Sequence, residues 1–185
     1  LHVRSRRQRQ MCIRDRATTY NYKLEDGGYD FSKAFSYIKY IFDDADLSML
    51  NLETVIDYDK KPMGFPRFNA PREIVDGIKY AGIDLIGTAN NHSLDQGTKG
   101  VLDTINAIND LGLSYIGTNL EESSDRFRIF KINDINVGVI AYTYGLNGLT
   151  PDADFRVNVI DKEKIKEDIE AVSYTHLRAH ETPEH

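Results

Sequence analysis

The chain has 185 residues, 41% of them hydrophobic, enough for one domain with its own core. Its formal charge is −6, and residues 17–171 hold 16 Lys and Arg against 26 Asp and Glu, a balance that disfavours nonspecific binding to nucleic acid or to anionic membrane. No apolar run reaches the ~18 residues of a membrane span, no apolar segment follows the basic start as in a secretory signal, and a single cysteine, Cys12, leaves no internal disulfide.

The two ends differ from the middle. Residues 1–16, "LHVRSRRQRQMCIRDR", carry six Arg and one Asp, and residues 172–185, "VSYTHLRAHETPEH", carry three of the five His without helical or strand periodicity. Both resemble translated sequencing-adapter read-through, with a basic nucleic-acid arm as the competing reading of the first. The fold is therefore expected within residues 17–171, where His92 is the only histidine.

From Tyr29 to Ala45, apolar residues at Phe31, Phe35, Ile38, Ile41 and Phe42 predict a helix. "LSMLNLE" predicts a short buried strand, and "TVIDYDKKPMGFPRFNAP" a loop punctuated by Pro62, Gly64 and Pro66. Pro71 suits the first turn of a helix through "REIVDGIKYAG", which Gly82 would stop. "IDLIGTA", apolar without alternation, predicts a strand covered on both faces. A helical stripe of Val101, Leu102, Ile105, Ile108 and Leu111 follows, then the strand "LSYIGT". "RFRIFKI" and "INVGVIAYTY" predict a hairpin turning at Asn133 and Asp134. "FRVNVI" reads as a last strand, "KEKIKED" as the solvated face of a closing helix, and "AYTYG" as strand-edge packing. Strands alternating with helices predict an α/β fold with parallel strands, in which ligands bind beyond the strands' carboxyl ends.

Two of those strand ends are unusually polar: "NLE" at residues 51–53 and "NNHSLD" at residues 90–95. Asparagine offers a neutral oxygen to a hard cation, and glutamate a carboxylate that can bind or bridge ions. Histidine can ligate, or protonate a leaving oxygen near neutral pH. Plainer roles fit the same residues. Asp95 is expected to cap the following helix, compatibly with orienting His92. Asn90 and Asn91 suit a turn, and Glu53 a surface carboxylate. From residue chemistry alone, the polar turn and the metal site both stand.

"YDFSKAFSYIKYIFDDADLSMLNLET", "ANNHSLDQG" and "INVGVIAYTYGLNG" together resemble the CapA family of bacterial poly-γ-glutamate capsule biosynthesis proteins, related to the calcineurin-like metallophosphoesterases. The resemblance runs from Tyr29 to Gly148, and "NLET" and "ANNHSLDQG" are its most specific parts. It implies a partial metallophosphoesterase-like α/β sandwich. It further implies Asn91 as a metal ligand and His92 as the catalytic acid contacting phosphate. Asn51 or Glu53, with Glu53 favoured, would be the earlier metal ligand, and Asp95 would orient the loop. Two divalent metal ions (Mn, Fe or Zn) would be the cofactors. The partners would be an anionic cell-surface polymer or its membrane synthase subunits, at a membrane-anchored cell-surface location, without nucleic acid. The family's opening Gly-Asp motif is expected before residue 20 and its later histidine motifs beyond residue 171. The chain therefore resembles an internal fragment, expected to be inactive alone. A noncatalytic accessory domain binding the polymer or membrane subunits is the alternative, and a cytoplasmic nucleotidase-type phosphoesterase a weaker one.

Overall fold

The computed structural model describes residues 21–173. The adapter-like segment 1–16, with Cys12, and residues 174–185 of the other such segment lie outside that span. In chain order the elements are α1 (Ser32–Phe35), α2 (Lys39–Asp43), β1 (Met49–Asn51), α3 (Glu73–Ala81), β2 (Leu85–Gly87), α4 (Gly97–Asp110), β3 (Ser114–Ile116), β4 (Phe127–Ile132), β5 (Ile135–Ile140) and α5 (Lys162–Val172). Strands β1, β2 and β3 are parallel neighbours in that order, with Leu50 opposite Ile86 and Ile86 opposite Tyr115. The alternating α/β fold expected from the sequence is present, consistent with a partial metallophosphoesterase-like sandwich.

Periodicity explains what holds it. Val75, Ile78 and Ala81 of α3 and Ala107 and Ile108 of α4 pack with Leu52, Ile56 and Ile86 in one buried cluster. Each buried Val, Leu or Ile side chain among these contributes about 1.5–3 kcal/mol relative to exposure, and each alanine methyl about 0.8 kcal/mol. A second cluster joins Leu94, Val101 and Ile105 to Leu146 and Val157, tying the polar motif to the later part of the chain. Gly82 ends α3 in the left-handed region, at φ 81°, as a helix stop should. Pro71 lies just before the N-cap residue Arg72 rather than within the first turn.

Three expectations are corrected. The Tyr29–Ala45 helix is two short helices, tightened by i→i+3 bonds from the Ile38 N–H to the Phe35 carbonyl and from the Ile41 N–H to the Ile38 carbonyl. Phe31 is buried and Phe35 and Phe42 pack on the core, but Ile38 and Ile41 are exposed. Phe31 lies so close to α3 that a Cβ on Gly77 would sit 2.6 Å from its own Cβ, and the aromatic and β-branched run after it has little helical propensity to impose a longer helix. "FRVNVI" makes only isolated bridges, Thr118 with Val157 and Thr143 with Val159. The face expected to be solvated contains Asp168, which is buried and paired with Arg126 at 2.7 Å. Tyr142 of "AYTYG" donates its hydroxyl to that same carboxylate, and burial together with this bond pushes the phenol up to about 12. The β4–β5 hairpin turns where predicted, at Asn133 and Asp134, both at positive φ.

Candidate functional site

Parallel register brings the two polar strand ends together. Asn51, the last residue of β1, lies opposite Gly87, the last of β2, so "NLE" and "NNHSLD" leave the sheet on one edge. Beyond β2 the chain passes hard against the end of β3. A Cβ on Gly117 would lie 2.5 Å from the Ala89 Cβ and 2.6 Å from its nitrogen, and Gly117 has φ +112°. Only glycine permits that approach.

A set of buried hydrogen bonds then shapes the loop. The Asn90 carboxamide donates to the Leu52 carbonyl at 2.9 Å and to Asn51 Oδ1 at 3.2 Å, and its own oxygen accepts the His92 N–H at 3.0 Å. Ser93 Oγ accepts the Asn90 N–H at 2.8 Å and lies 2.6 Å from the Thr88 carbonyl. Asn90, expected only as a turn former, is thus the staple between the β1 end and the motif.

His92 is 5% exposed, with its Nδ1 2.7 Å from Asp95 Oδ2. The same carboxylate oxygen accepts the Phe68 N–H at 2.7 Å. Asp95 therefore does not cap α4, whose N-cap residue is Gln96 without a side-chain cap bond. The carboxylate is engaged by the imidazole and the loop instead. An acceptor-only carboxylate against Nδ1 holds the proton there and leaves Nε2 as the reactive nitrogen. Nε2 has no partner among the described residues, and no buried side-chain nitrogen or oxygen lacks one, so Nε2 opens to solvent. His92 lines a cavity of about 290 Å³ together with Arg67, Asn91 and Asn147.

The loop bearing Arg67 is latched in place. Buried Asp57 accepts from Lys60 at 2.9 Å and from Lys99 of α4 at 3.2 Å. Burial alone would raise its pKa, but these bonds and the Asp59 N–H bring it below the usual carboxylate value. Lys60 also donates to Gln96 Oε1 at 3.0 Å, and Gln96 Nε2 donates to the Phe68 carbonyl at 2.9 Å.

The proposed ligands are only partly assembled. Asn91 Nδ2 donates to Asn147 Oδ1 at 3.2 Å, which leaves Asn91 Oδ1 without a protein donor among the described residues. Asn51 is exposed, but its Oδ1 is engaged by Asn90. Glu53 lines a different cavity, of about 210 Å³, with Phe31, Met63 and Ile74. Phe68 links the two: it lines the Glu53 cavity, and its ring packs edge-on to the His92 imidazole at 4.4 Å. Among the described residues, no three His, Cys, Asp or Glu side chains converge as a metal-binding group. Asn91 Oδ1 and His92 Nε2 are suitable donor types, but two ions need several ligands, and this set does not fit a dinuclear centre by itself. Arg67, Phe68 and Asn147 went unsingled in the sequence. The one signal for the first two was a loop, residues 54–71, longer than the ~12–15 residues that ordinary connections reach.

Comparison with known proteins decides the family. A family profile for the bacterial capsule synthesis protein PGA_cap matches residues 8–180, nearly the whole chain. The chain belongs to this family. As a PGA_cap member it is similar to the "Capsule biosynthesis protein CapA" of Bacillus anthracis, at 30% identity over 93 residues, 50% of this chain and 22% of that protein. It is also similar to the "PGA biosynthesis protein CapA" of Bacillus subtilis, at 24% identity over 114 residues, 59% of this chain and 30% of that protein. The aligned part of the chain thus spans under a third of these curated relatives' own lengths. The PGA_cap interval reaches past both ends of residues 17–171. Among the described residues, no helix is long and apolar enough to cross a membrane.

Proposed function

We propose that this PGA_cap-family protein serves the synthesis or release of an anionic cell-surface polymer, through hydrolytic chemistry centred on His92. The observation that supports this most is the buried His92–Asp95 pair, with Nδ1 held at 2.7 Å and Nε2 left open to the cavity. Asp95 fixes the ring and its tautomer. A protonated Nε2 then donates to a leaving oxygen, and the neutral form accepts a proton from water. Two divalent metal ions, with Glu53, Asn51 and Asn91 as ligands, remain part of the proposal, but the described residues do not assemble them and no step here depends on them. Membrane synthase subunits as partners and an anchored cell-surface location are likewise proposed, in keeping with the relatives' capsule-biosynthesis names.

A second reading has two specific observations in its favour. Glu53 opens on a different cavity and Asn51 is tied to Asn90, as a noncatalytic domain that binds polymer would tolerate. One experiment separates the two. The protein, expressed in its genomic reading frame, is assayed on aryl phosphates and on γ-linked glutamate oligomers beside His92→Gln and Asp95→Asn. The catalytic reading expects turnover lost in the first variant and lowered in the second, where the ring is no longer held in one tautomer, with circular dichroism unchanged. Turnover equal to wild type in His92→Gln would rule out the acid role. Oligomer binding without turnover in every form would favour the accessory role.

A further inference from the structure

The cavity at His92 contains a cation that the proposed chemistry has not used. The other described arginines are held by partners: Arg72 by Asp76, Arg126 by Asp168, Arg156 by Asp152, and Arg128 by the Asp125 and Phe127 carbonyls. Arg67 has no hydrogen bond or ion pair among the described residues, yet it lines the same cavity as His92, Asn91 and Asn147. Its backbone is well anchored on one side, because the next residue, Phe68, is bonded through its N–H to Asp95 and through its carbonyl to Gln96.

The electrostatics point the same way. A chain with a net charge of −6 repels anions in general, so an anionic ligand needs a local cation to enter. Asp95 is the carboxylate lining this cavity, and its Oδ2 is already engaged by the imidazole and the Phe68 N–H. Asn147 supplies a second donor. Its Oδ1 accepts from Asn91, which leaves its own NH₂ group without a partner among the described residues. A planar guanidinium fork beside a carboxamide NH₂ is the donor set that suits the paired oxygens of a phosphate or carboxylate.

We propose that Arg67 and Asn147 form an oxyanion subsite that holds a phosphate ester or a carboxylate of the substrate beside His92 Nε2. This names the ligand class for the function proposed above and rests on that reading of the cavity, but binding tests it without any need for turnover. The isotope-labelled 185-residue chain is titrated, in separate arms, with phenyl phosphate and with a tri-γ-glutamate oligomer, while the Arg67 Nε–H and Asn147 side-chain resonances are followed by NMR. At least one probe should move both signals. Arg67→Gln should weaken that probe about tenfold or more, the loss of a charge-assisted bond, at unchanged melting temperature. Arg67→Lys should restore only part, since an ammonium lacks the fork. Asn147→Gly, at an exposed position with φ 53° that glycine adopts without strain, serves as the second variant and should weaken the same probe. The arm that responds identifies phosphate or carboxylate as the source of the oxyanion. Equal affinity in Arg67→Gln, or no response of the wild type to millimolar amounts of either probe, overturns the subsite. Affinity lost in Arg67→Gln while His92→Gln keeps its turnover would uphold the subsite and remove the acid role.

Discussion

The cavity beside Arg126, Tyr142 and Lys164 holds about 690 Å³, more than twice the about 290 Å³ of the His92 cavity, but the two differ more in chemistry than in size. In the larger one the buried polar groups answer one another, although the Lys164 ammonium has no hydrogen-bond or ion-pair partner among the described residues. Arg126 and Tyr142 share the Asp168 carboxylate, and Asn119 Nδ2 donates to Asn158 Oδ1 at 2.9 Å. In the smaller one the lining residues His92, Asn91 and Arg67 leave Nε2, Oδ1 and the guanidinium without a partner among the described residues. Satisfied polar groups hold a fold together, whereas groups positioned by a rigid shell and left free are available to a ligand.

The largest test of that contrast is Ile105→Ala. Ile105 is fully buried in the cluster that joins Leu94 of the motif to Leu146 and Val157 of the later region. Its truncation should cost about 2–5 kcal/mol in urea unfolding and loosen both cavities together. A loss confined to one region's amides in hydrogen exchange would mean that the regions unfold separately. Next in size, Asp168→Ala should cost about 1–3 kcal/mol, because it strands Arg126 and the Tyr142 hydroxyl. Affinity for oxyanion probes at the His92 cavity should stay as in the wild type, and a matching drop would break the division drawn here.

Asp57 supplies a pH test of the latch behind the Arg67 loop. Its folded pKa lies below the usual 3.8, so the unfolded chain binds the proton more readily. The stabilisation is fully present above that value and is lost as pH falls through the lower folded value. Urea midpoints of Asp57→Asn should therefore trail the wild type near neutrality and converge with it in acid below 3.8. A constant gap across that range would show that Asp57 acts by packing rather than charge. The smallest expected effect is a gain. Asp134 turns the hairpin at φ 67°, and Asp134→Gly should stabilise by under about 1 kcal/mol without touching either cavity.

The fold was the more legible part. Uninterrupted apolar strands between amphipathic helices specify a parallel sheet, and Asn133–Asp134 between two β-rich runs specifies a hairpin, because both are local patterns. The Tyr29–Ala45 segment misled because Ile38 and Ile41 match the helical period without having a surface to pack on. At the site, His92 and Asp95 were legible as neighbours three residues apart in one loop. Glu53 was not. Two residues beyond Asn51 it would share that residue's face if β1 continued, but the strand ends at Asn51 and the chain turns Glu53 toward Met63 and Ile74. Arg67 and Asn147 reach His92 only through tertiary folding, and no local spacing encodes such a meeting.

The bond between Asn91 and Asn147 crosses 56 residues of chain, with all of α4, β3 and the hairpin in between. Closing a loop of that length carries an entropic charge that must be met before the contact gives anything back, so such contacts form late. During refolding, the sequence-local contacts of α4 with β3 and of the β4–β5 hairpin should therefore become protected from hydrogen exchange before the cavity can capture a ligand. For an interval, the protein would hold native local structure and still be incompetent at its site.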